Sequence, residues 1–316
     1  MTLRHKSATF AKAEGFNVTA QVWPVTDSFA AEIGDVDLSK PLSDNDWATI
    51  ENAYNTYSVL VFPDQHLAQD QHLEFARRFG PIDRSMVVDM DSKARVTPEI
   101  ADVSNLNADG EVMAAGDRML GFQRGNRLWH TDSSFKPTPA NASLLYMQAI
   151  PPVGGMTEFA DLRAAWDGLD DETKALIEGR VAIHSIATSR QRMGFAMTDS
   201  ENATYPRVPQ AMVRTHRASG RKSIYTASHA GEIVGMDHSD ANALLERLME
   251  HATQRQFVYT HRWRVNDLVM WDNKCTLHRG RPFDDTRWPR DAQRATSQDI
   301  GPTCEQEGIS IPQAAE

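Results

Sequence analysis

The sequence "LWHTDSSF", residues 128–135, places a histidine and a carboxylate two positions apart in a stretch without helical periodicity. In an extended strand, residues i and i+2 point to the same face, so His130 and Asp132 would project side by side. Three interpretations are open: a buried ion pair, a catalytic dyad, or two ligands of a metal site whose third ligand lies elsewhere. Taken alone, such a pair is more often a hydrogen-bonded pair than a ligand set.

A second segment, "DLVMWDNKCTLHRGRPF", supplies a candidate for the third ligand. It combines a strand that looks buried, a polar "WDN" break and then His278 at the start of a basic loop. Two histidines and one carboxylate make the facial triad that binds Fe(II) and leaves coordination positions open for substrate, co-substrate and oxygen. The other histidines fall in predicted surface or helical segments or lack a ligand-type partner nearby. His229, in "TASHAGEI", is the hardest of them to set aside.

Two further segments could bind anions. "PPVGGMTEFADL" puts Thr157 after a Gly-Gly turn, which by itself indicates a hairpin. "WPRDAQRATSQDI" places Arg290 and Arg294 four residues apart, so both would lie on one face of a strand. Two exposed arginines are the ordinary interpretation. Two inward-facing arginines behind a metal site would instead bind carboxylates, which a guanidinium can hold through two hydrogen bonds.

The segments that must position these residues are mostly strand-like in the second half of the chain. A helix is predicted over "SDNDWATIENAYNTYS", capped by Ser43 or Asp44, and the strand "SVLVF" follows it. Further helices are predicted over "DQHLEFARRFG", "DLRAAWDGL", "DDETKALIEG" and "SDANALLERLMEHATQ". Strands are predicted over "ASLLYMQAI", "VAIHSIA", "QAMVRTH", "SIYTA", "QFVYTHRWRV", "DLVMWDN" and "QRATSQDI". Without a regular βαβ alternation, this order favours an all-β core with flanking helices, as a β-sandwich or jelly roll.

Composition narrows the possible partners. The chain of 316 residues has a net charge of -10, which argues against nucleic acid or an anionic membrane surface as the main partner. No apolar run approaches the ~18 residues of a membrane span, and the N-terminus lacks the apolar segment of a signal peptide. Two cysteines, Cys275 and Cys304, do not make a disulfide framework, so we expect a reducing, cytoplasmic location.

The chain shows no internal repeat, low-complexity tract or glycine-rich linker that would divide it. We therefore expect a single domain over residues 1–316, with an ordered core roughly over 16–300. The first 15 residues or so and the tail 301–316, "GPTCEQEGISIPQAAE", are expected to be loosely ordered and flexible.

Several of these motifs together resemble the TauD/TfdA family of Fe(II)/2-oxoglutarate-dependent dioxygenases. "LWHTDSSF", "GGMTEF", "LVMWDNKCTLHRG" and "QRAT" follow the family's order and approximate spacing, and the resemblance extends from "SVLVFPDQ" and "FARRFGPID" to "QRAT". Within the family, "ADVSN", "DLRAAWDGL", "VRTHRASGRK" and "EHATQRQFVYTHRW" are similar to the aryloxyalkanoate dioxygenases that cleave 2,4-dichlorophenoxyacetate. The fold that the resemblance implies is the double-stranded β-helix, a jelly roll.

The resemblance also implies a role for each matched residue. His130, Asp132 and His278 would bind Fe(II). Thr157 and Arg290 would hold the distal carboxylate of 2-oxoglutarate, with Arg294 binding the anionic group of the primary substrate and Asn126 lining its pocket. The loop from His278 to Arg290, which contains "DDTRWP", is one residue longer than the family pattern. Arg287 is therefore the alternative to Arg290.

The implied reaction consumes 2-oxoglutarate and O₂ and hydroxylates the carbon next to the ether oxygen of a small anionic aromatic substrate. It releases a phenol and a keto acid such as glyoxylate, with succinate and CO₂. One alternative keeps the iron chemistry but acts on a taurine-like sulfonate or an alkyl sulfate ester. A second is a non-catalytic jelly-roll binding protein with a relic metal site. We expect a homo-oligomer with no nucleic-acid or membrane partner.

Overall fold

The computed structural model describes residues 19–84 and 95–311. Its strands are β1 Gln21–Pro24, β2 Ala30–Gly34, β3 Val59–Phe62, β4 Ile100–Asp102, β5 Ala140–Ala149, β6 Thr157–Asp161, β7 Val181–His184, β8 Val208–Ala211, β9 Val213–Thr215, β10 Lys222–Ile224, β11 Ala230–Ile233, β12 Val258–His261, β13 Leu268–Asp272, β14 Thr276–Gly280 and β15 Asp291–Gln298. Its α-helices are α1 Asp44–Tyr57, α2 Gln69–Arg77, α3 Arg118–Gln123, α4 Leu162–Asp167, α5 Asp171–Ile177, α6 Ile186–Gln191, α7 Asp199–Thr204, α8 His238–Ala252 and α9 Thr303–Gln306. Short 3-10 helices cover Arg124–Arg127 and Arg255–Phe257.

The strands form one large and three small sheets. The large sheet has seven strands in the order β1-β2-β3-β13-β5-β15-β4, and all its pairings are antiparallel except β2 with β3. The small sheets are β12-β6-β14, β11-β7-β8 and β10-β9. The prediction of a sheet-rich core with flanking helices is confirmed at this level.

The two faces of the large sheet have different partners. On one face, α1 and α2 pack Ile50, Tyr54 and Phe75 against the strands. On the other face, Phe159 of β6 packs against Trp271 of β13, with 5.5 Å between ring centroids. The β12-β6-β14 sheet therefore covers this second face, and the segments that carry His130, Thr157 and His278 come together where the two sheets meet.

Helix α1 forms where the sequence predicts it. The Ser43 side chain accepts a hydrogen bond from the Asp46 backbone N–H, and Ser58 ends the helix at a φ of 64°. Ile50, Ala53 and Tyr54 are buried at helical spacing. The cap and the apolar periodicity are local signals, so the sequence alone contains them.

The C-terminal segment differs from the expected flexible tail. Residues Thr303–Gln306 form α9, and Thr303 and Cys304 are buried. Thr303 Oγ1 accepts from the Ala211 backbone N–H at 2.8 Å and donates to Gln210 Oε1 at 2.7 Å. These tertiary contacts order the segment, so the expectation is wrong for residues 301–311. Residues 1–15 and 312–316 lie outside the described residues.

The described part of the chain contains no helix that is both long and apolar enough to cross a bilayer. The longest described helix, α8, has 15 residues and presents Leu244, Leu245 and Leu248 to the core. Its opposite face carries charged residues, as in a helix packed on the outside of a folded domain.

Candidate metal centre and anion-binding cavity

Three side chains of the kinds that bind Fe(II) converge in the core. His130, Asp132 and His278 are all buried, and each offers a ligand atom within 4.8 Å of the others. His130 Nε2 lies 3.9 Å from Asp132 Oδ1, and His278 Nε2 lies 3.7 Å from Asp132 Oδ2. Within residues 19–84 and 95–311, this is the only group of three or more histidine, cysteine or acidic side chains with such geometry. The donor set and its spacing fit a metal ion that takes one atom from each residue.

A backbone bridge brings the two histidines together. The His130 N–H donates to the His278 carbonyl at 3.0 Å, and the His278 N–H donates to the His130 carbonyl at 2.8 Å. The two ring centroids are consequently 4.1 Å apart. His278 lies on β14, whereas His130 makes only this isolated bridge.

Asp132 reaches the site through a turn. The sequence reasoning placed His130 and Asp132 on one face of an extended strand, and this is wrong. Asp132 begins a turn, and Ser133 has a φ of 53°, in the left-handed region. The carboxylate faces the histidines because the chain reverses there, not because of strand pleating.

Asp132 is held as an ionised carboxylate. Arg294 Nη1 donates to its Oδ1 at 2.6 Å, and Ser143 Oγ donates to its Oδ2 at 2.7 Å. Burial by itself raises the pKa of this carboxyl. The positive charge of Arg294, the two histidines and the Ser143 hydrogen bond outweigh burial and lower the pKa to about 2.

Both histidines are held neutral, which is the protonation state of a metal ligand. Burial is the main cause that lowers the pKa of His130 and of His278. His130 Nδ1 donates to the Leu128 carbonyl at 2.8 Å, so its Nε2 carries the lone pair on the side of Asp132. A hydrogen bond of this kind from the non-ligating nitrogen fixes the tautomer and orientation of metal-binding histidines.

A cavity opens onto His130 and His278, and its walls are partly apolar and strongly cationic. Apolar side chains come from Val103, Leu120, Leu145, Trp271 and Phe283. Cationic side chains come from Arg124, Arg127, Arg281, Arg290 and Arg294. Asp285 is the only acidic residue among the described residues that line it. Because the whole chain carries a net charge of -10, this local excess of arginine indicates an anionic ligand with an apolar part.

Among the arginines that line the cavity, Arg290 has the buried charge that the other described residues compensate least. Its exposed fraction is 9%, and burial lowers the pKa of its guanidinium to about 10. This guanidinium donates only to two backbone carbonyls, Gly155 at 3.4 Å and Val103 at 3.3 Å, and pairs with no carboxylate among the described residues. A buried cation without a counter-ion is costly, so a bound carboxylate would compensate it.

Thr157 lines the same cavity and follows a Gly-Gly turn that packs closely against Pro151. Trp263 Nε1 donates to Thr157 Oγ1 at 3.0 Å, which leaves the hydroxyl proton of Thr157 free to donate. Gly155 has a φ of 69°, and a Cβ there would lie 2.7 Å from Pro151 and 3.6 Å from the Arg290 side chain. Glycine is thus required by both the backbone conformation and the close packing.

Arg287, the alternative in the longer loop, points elsewhere. Its side chain is exposed and lies over the Trp288 ring, 4.8 Å from the centroid. Arg290, Arg294 and Asn126 all line the cavity, whereas Arg287 does not. The geometry therefore favours Arg290 over Arg287 as the arginine that would bind an anion in the cavity.

A cluster of hydrogen bonds around Asp285, which the sequence does not predict, connects segments that line the cavity. Asp285 accepts hydrogen bonds from Arg124 at 2.9 and 3.0 Å and from Arg127 at 2.5 Å. Asn105 Nδ2 donates to the carbonyls of Asp285 and Trp288, both at 2.8 Å. The only local signal was an acidic pair, "DD", inside a basic loop. The partners lie more than 150 residues away in sequence, so no periodicity connects them.

Two more buried groups near the ligands were not assigned from the sequence. Arg190 is 5% exposed, and its guanidinium lies over the Phe122 ring, 4.2 Å from the centroid. His229 lies edge-on to His130, with 6.1 Å between ring centroids, and its Nδ1 is 3.0 Å from Ser134 Oγ. His229 is thus close to the site but outside the ligand group.

A family model described as "Taurine catabolism dioxygenase TauD, TfdA family" matches residues 21–296. The chain is 41% identical over 278 residues to the alpha-ketoglutarate-dependent 2,4-dichlorophenoxyacetate dioxygenase of Cupriavidus pinatubonensis, covering 87% of this chain and 96% of that protein. It is 36% identical over 273 residues to the (S)-phenoxypropionate/alpha-ketoglutarate-dioxygenase of Sphingobium herbicidovorans, covering 84% and 90%. The crystal structure of AAD-2 in complex with Mn(II) and N-oxalylglycine superposes with a TM-score of 0.86 at 44% identity, covering 90% of this chain and 99% of that one.

Proposed function

Because the chain belongs to the TauD/TfdA family of dioxygenases, we propose that it hydroxylates an aryloxyalkanoate next to the ether oxygen. The chain is a 2-oxoglutarate-dependent dioxygenase that uses Fe(II) and O₂. The proposal extends this to the substrate and to the residues that act. It is carried by one observation: His130 and His278 of a buried His-Asp-His cluster line a cavity whose other walls are both cationic and apolar.

In the proposal, His130, Asp132 and His278 bind Fe(II). When bound with 2-oxoglutarate and O₂, the iron supplies the oxidation that converts one C–H bond to C–OH, while 2-oxoglutarate becomes succinate and CO₂. The hydroxylated carbon is a hemiacetal carbon, so its bond to the aryloxy oxygen breaks. The oxygen leaves with the ring and takes up the hydroxyl proton, and the carbon becomes the carbonyl carbon of the keto acid. The products are a phenol and a keto acid such as glyoxylate. The protein's own residues bind two anions, orient one C–H bond and exclude water.

Arg290 and Thr157 hold the distal carboxylate of 2-oxoglutarate in this proposal. The unpaired, buried guanidinium of Arg290 supplies the charge, and the free hydroxyl proton of Thr157 supplies a second donor. Val103, Leu120, Leu145, Trp271 and Phe283 offer apolar contacts for an aromatic ring, and Asn126 a polar one. A charged end and an apolar end together match an aryloxyacetate better than the small, wholly polar taurine.

The finer points of architecture are proposals too. We propose that the large sheet and the β12-β6-β14 sheet form a double-stranded β-helix within a single domain.

A cytoplasmic location is supported by the two free, buried cysteines. A homo-oligomer is supported by exposed Trp23 on β1. Among the described strands β1 pairs only with β2, and an edge strand with an exposed apolar side chain favours association.

The test is a succinate-release assay with Fe(II), 2-oxoglutarate and O₂ over phenoxyacetates, phenoxypropionates, taurine and alkyl sulfates. We expect succinate release coupled to phenol formation for a phenoxy acid and little for taurine. Preference for a sulfonate or a sulfate ester would replace the substrate proposal with the alternative. An anaerobic titration that gives no visible charge-transfer band with Fe(II) and 2-oxoglutarate would instead support a non-catalytic binding protein.

Arg294 is proposed to bind the carboxylate of the aryloxyalkanoate. It lines the cavity next to Asp132, and one of its nitrogens, Nη1, is committed to that residue. Arg294→Gln should lower kcat/KM for an aryloxyacetate about 10- to 100-fold, since a hydrogen bond to a charged group contributes ~1.5–3 kcal/mol. The charge-transfer band of bound 2-oxoglutarate should remain.

A neutral phenoxy ether is the matched control for Arg294, because it lacks the carboxylate. If the unaltered enzyme processes the neutral ether as well as the acid, the assignment of Arg294 to the substrate is wrong. Mn(II) affinity measured in Arg294→Gln separates this role from its contact with Asp132.

A further inference from the structure

Asn273, the last residue of the "WDN" sequence, directly follows β13 and does not line the cavity. Asn273 is 0% exposed, and all of its side-chain contacts are to other buried groups. Its Oδ1 accepts from the Asp132 backbone N–H at 3.0 Å and from Trp271 Nε1 at 3.0 Å. Its Nδ2 donates to Ser143 Oγ at 2.9 Å. Thr131 Oγ1 donates to the Asn273 backbone carbonyl at 2.7 Å and to its Oδ1 at 3.3 Å, so Asn273 contacts the segment that carries Asp132 at two neighbouring residues. The proposed chemistry gives Asn273 no part.

The direction of these hydrogen bonds is determined by the groups themselves. A backbone N–H and an indole N–H can only donate, so the amide oxygen of Asn273 must face Asp132 and Trp271. The amide nitrogen, which can only donate, must therefore face Ser143. Because Ser143 Oγ accepts there, its single proton is left for another acceptor.

That acceptor is the carboxylate of Asp132. Ser143 Oγ lies 2.7 Å from Asp132 Oδ2 and 3.4 Å from Thr296 Oγ1, so the Ser143 proton makes its shorter hydrogen bond with Asp132. Hydrogen bonds linked in this way strengthen one another in a buried environment. Asn273 consequently contacts the Asp132 backbone at its N–H, but reaches the carboxylate, the group that would bind the metal, only through Ser143.

Such support is needed because strand pairing does not supply it. Asp132 lies in a turn, and the next residue, Ser133, has a φ of 53°. Only His130, two residues earlier, is tied to β14 by a backbone bridge. The side chain of Asn273 replaces the backbone hydrogen bonds that a paired strand would provide, and it links the turn to the end of β13.

We propose that Asn273 is a positioning residue for the metal ligand Asp132 and that it acts through Ser143. This rests on the proposed role of Asp132 as an iron ligand. Asn273 touches neither substrate nor metal in this proposal. It holds the carboxylate in the orientation that the two histidines require. Loss of this link should weaken metal binding more than it weakens the binding of 2-oxoglutarate to the loaded enzyme.

The experiment compares Asn273→Ala, Ser143→Ala and the double variant by Mn(II) titration of the metal-free protein. Removal of such supporting partners typically lowers metal affinity about 10- to 100-fold, and we expect a loss in that range for each single variant. The double variant should lose little more than Asn273→Ala, because both changes break the same chain. KM for 2-oxoglutarate, measured at saturating Fe(II), should stay within about twofold of the unaltered value if the link acts on the metal alone.

Asn141→Ala is the matched control. The Asn141 side chain donates to the Phe79 carbonyl at 2.6 Å and accepts from Lys274 Nζ, so it makes no hydrogen bond to Asn273, Ser143 or Asp132. Only its backbone carbonyl, which alanine retains, accepts from the Asn273 N–H, at 2.8 Å. This change should lower the Tm and leave Mn(II) affinity unchanged. Unchanged Mn(II) affinity in Ser143→Ala would overturn the inference, even if Asn273→Ala fails to fold. So would a loss of affinity in Asn273→Ala without one in Ser143→Ala.

The failure of this inference differs from the failure of the proposed function. If the unaltered protein does not bind Mn(II), the metal site itself is refuted, and the role of Asn273 falls with it. If the unaltered protein binds Mn(II) and both single variants bind it equally well, only the role of Asn273 is refuted.

Discussion

Replacing His278 with alanine is expected to reduce succinate release to background, while the metal-free protein keeps its fold. His278 offers one of three ligand atoms that lie within 4.8 Å of one another, and its neutral ring forms no ion pair that would hold the fold. Residues that act as a unit in catalysis lose nearly all activity when one is removed. The measurement is succinate release together with Mn(II) affinity and the Tm of the metal-free protein.

His72→Ala is the control for this change. His72 is buried like His278, its Nε2 lies 3.0 Å from the Leu144 carbonyl, and it is not part of the His130-Asp132-His278 group. It should lose stability through lost packing and keep turnover in its folded fraction. Retained turnover in His278→Ala, accompanied by a large fall in Tm, would show that His130, Asp132 and His278 form a structural cluster rather than a metal site.

Arg290→Met is expected to raise KM for 2-oxoglutarate by at least about 30-fold, because truncating one partner of a buried charge pair costs ~2–5 kcal/mol. The same change should leave the metal-free protein at least as stable as before. Its guanidinium is buried, pairs with no described carboxylate and makes only two long hydrogen bonds, at 3.3 and 3.4 Å. Methionine removes the buried charge and fills much of the same volume.

The sign of the effect of the Arg290 charge on the stability of the metal-free protein follows from the direction of its pKa shift. Burial lowers the pKa of Arg290 to about 10, so the folded chain holds this proton less tightly than the unfolded chain does. The penalty is therefore fully present below about pH 10 and declines only as the pH rises above it. At neutral pH the metal-free Arg290→Met protein should not have a lower Tm than the unaltered one, and 2-oxoglutarate should raise the Tm of the unaltered protein more.

Arg287→Met is the control for the arginine assignment. Arg287 is exposed and stacks on Trp288, outside the cavity. Its substitution should change stability by no more than ~0.5 kcal/mol and leave KM alone. If Arg287→Met raises KM for 2-oxoglutarate and Arg290→Met does not, the assignment across the loop is wrong.

Local signals in the sequence were sufficient for much of the framework. The cap at Ser43 and the apolar spacing up to Tyr54 specify α1, and the short apolar run at Val59–Phe62 specifies β3. These features depend on residues within a few positions of one another, which is the range over which propensity and periodicity act. The residue types of the candidate site, two histidines and an aspartate, were likewise readable, and their order resembled one family.

Tertiary structure alone decided how those residues meet. Asp132 faces the histidines through a turn stabilised by Asn273, more than 140 residues away, and not through a strand. Arg290 rather than Arg287 enters the cavity because Asn105 and Asp285 anchor the loop. Thr303, expected in a flexible tail, is ordered by hydrogen bonds to β8. In each case the deciding contact joins segments far apart in the chain. Its free energy comes from burial and hydrogen bonding that exist only after folding, so no local pattern encodes it.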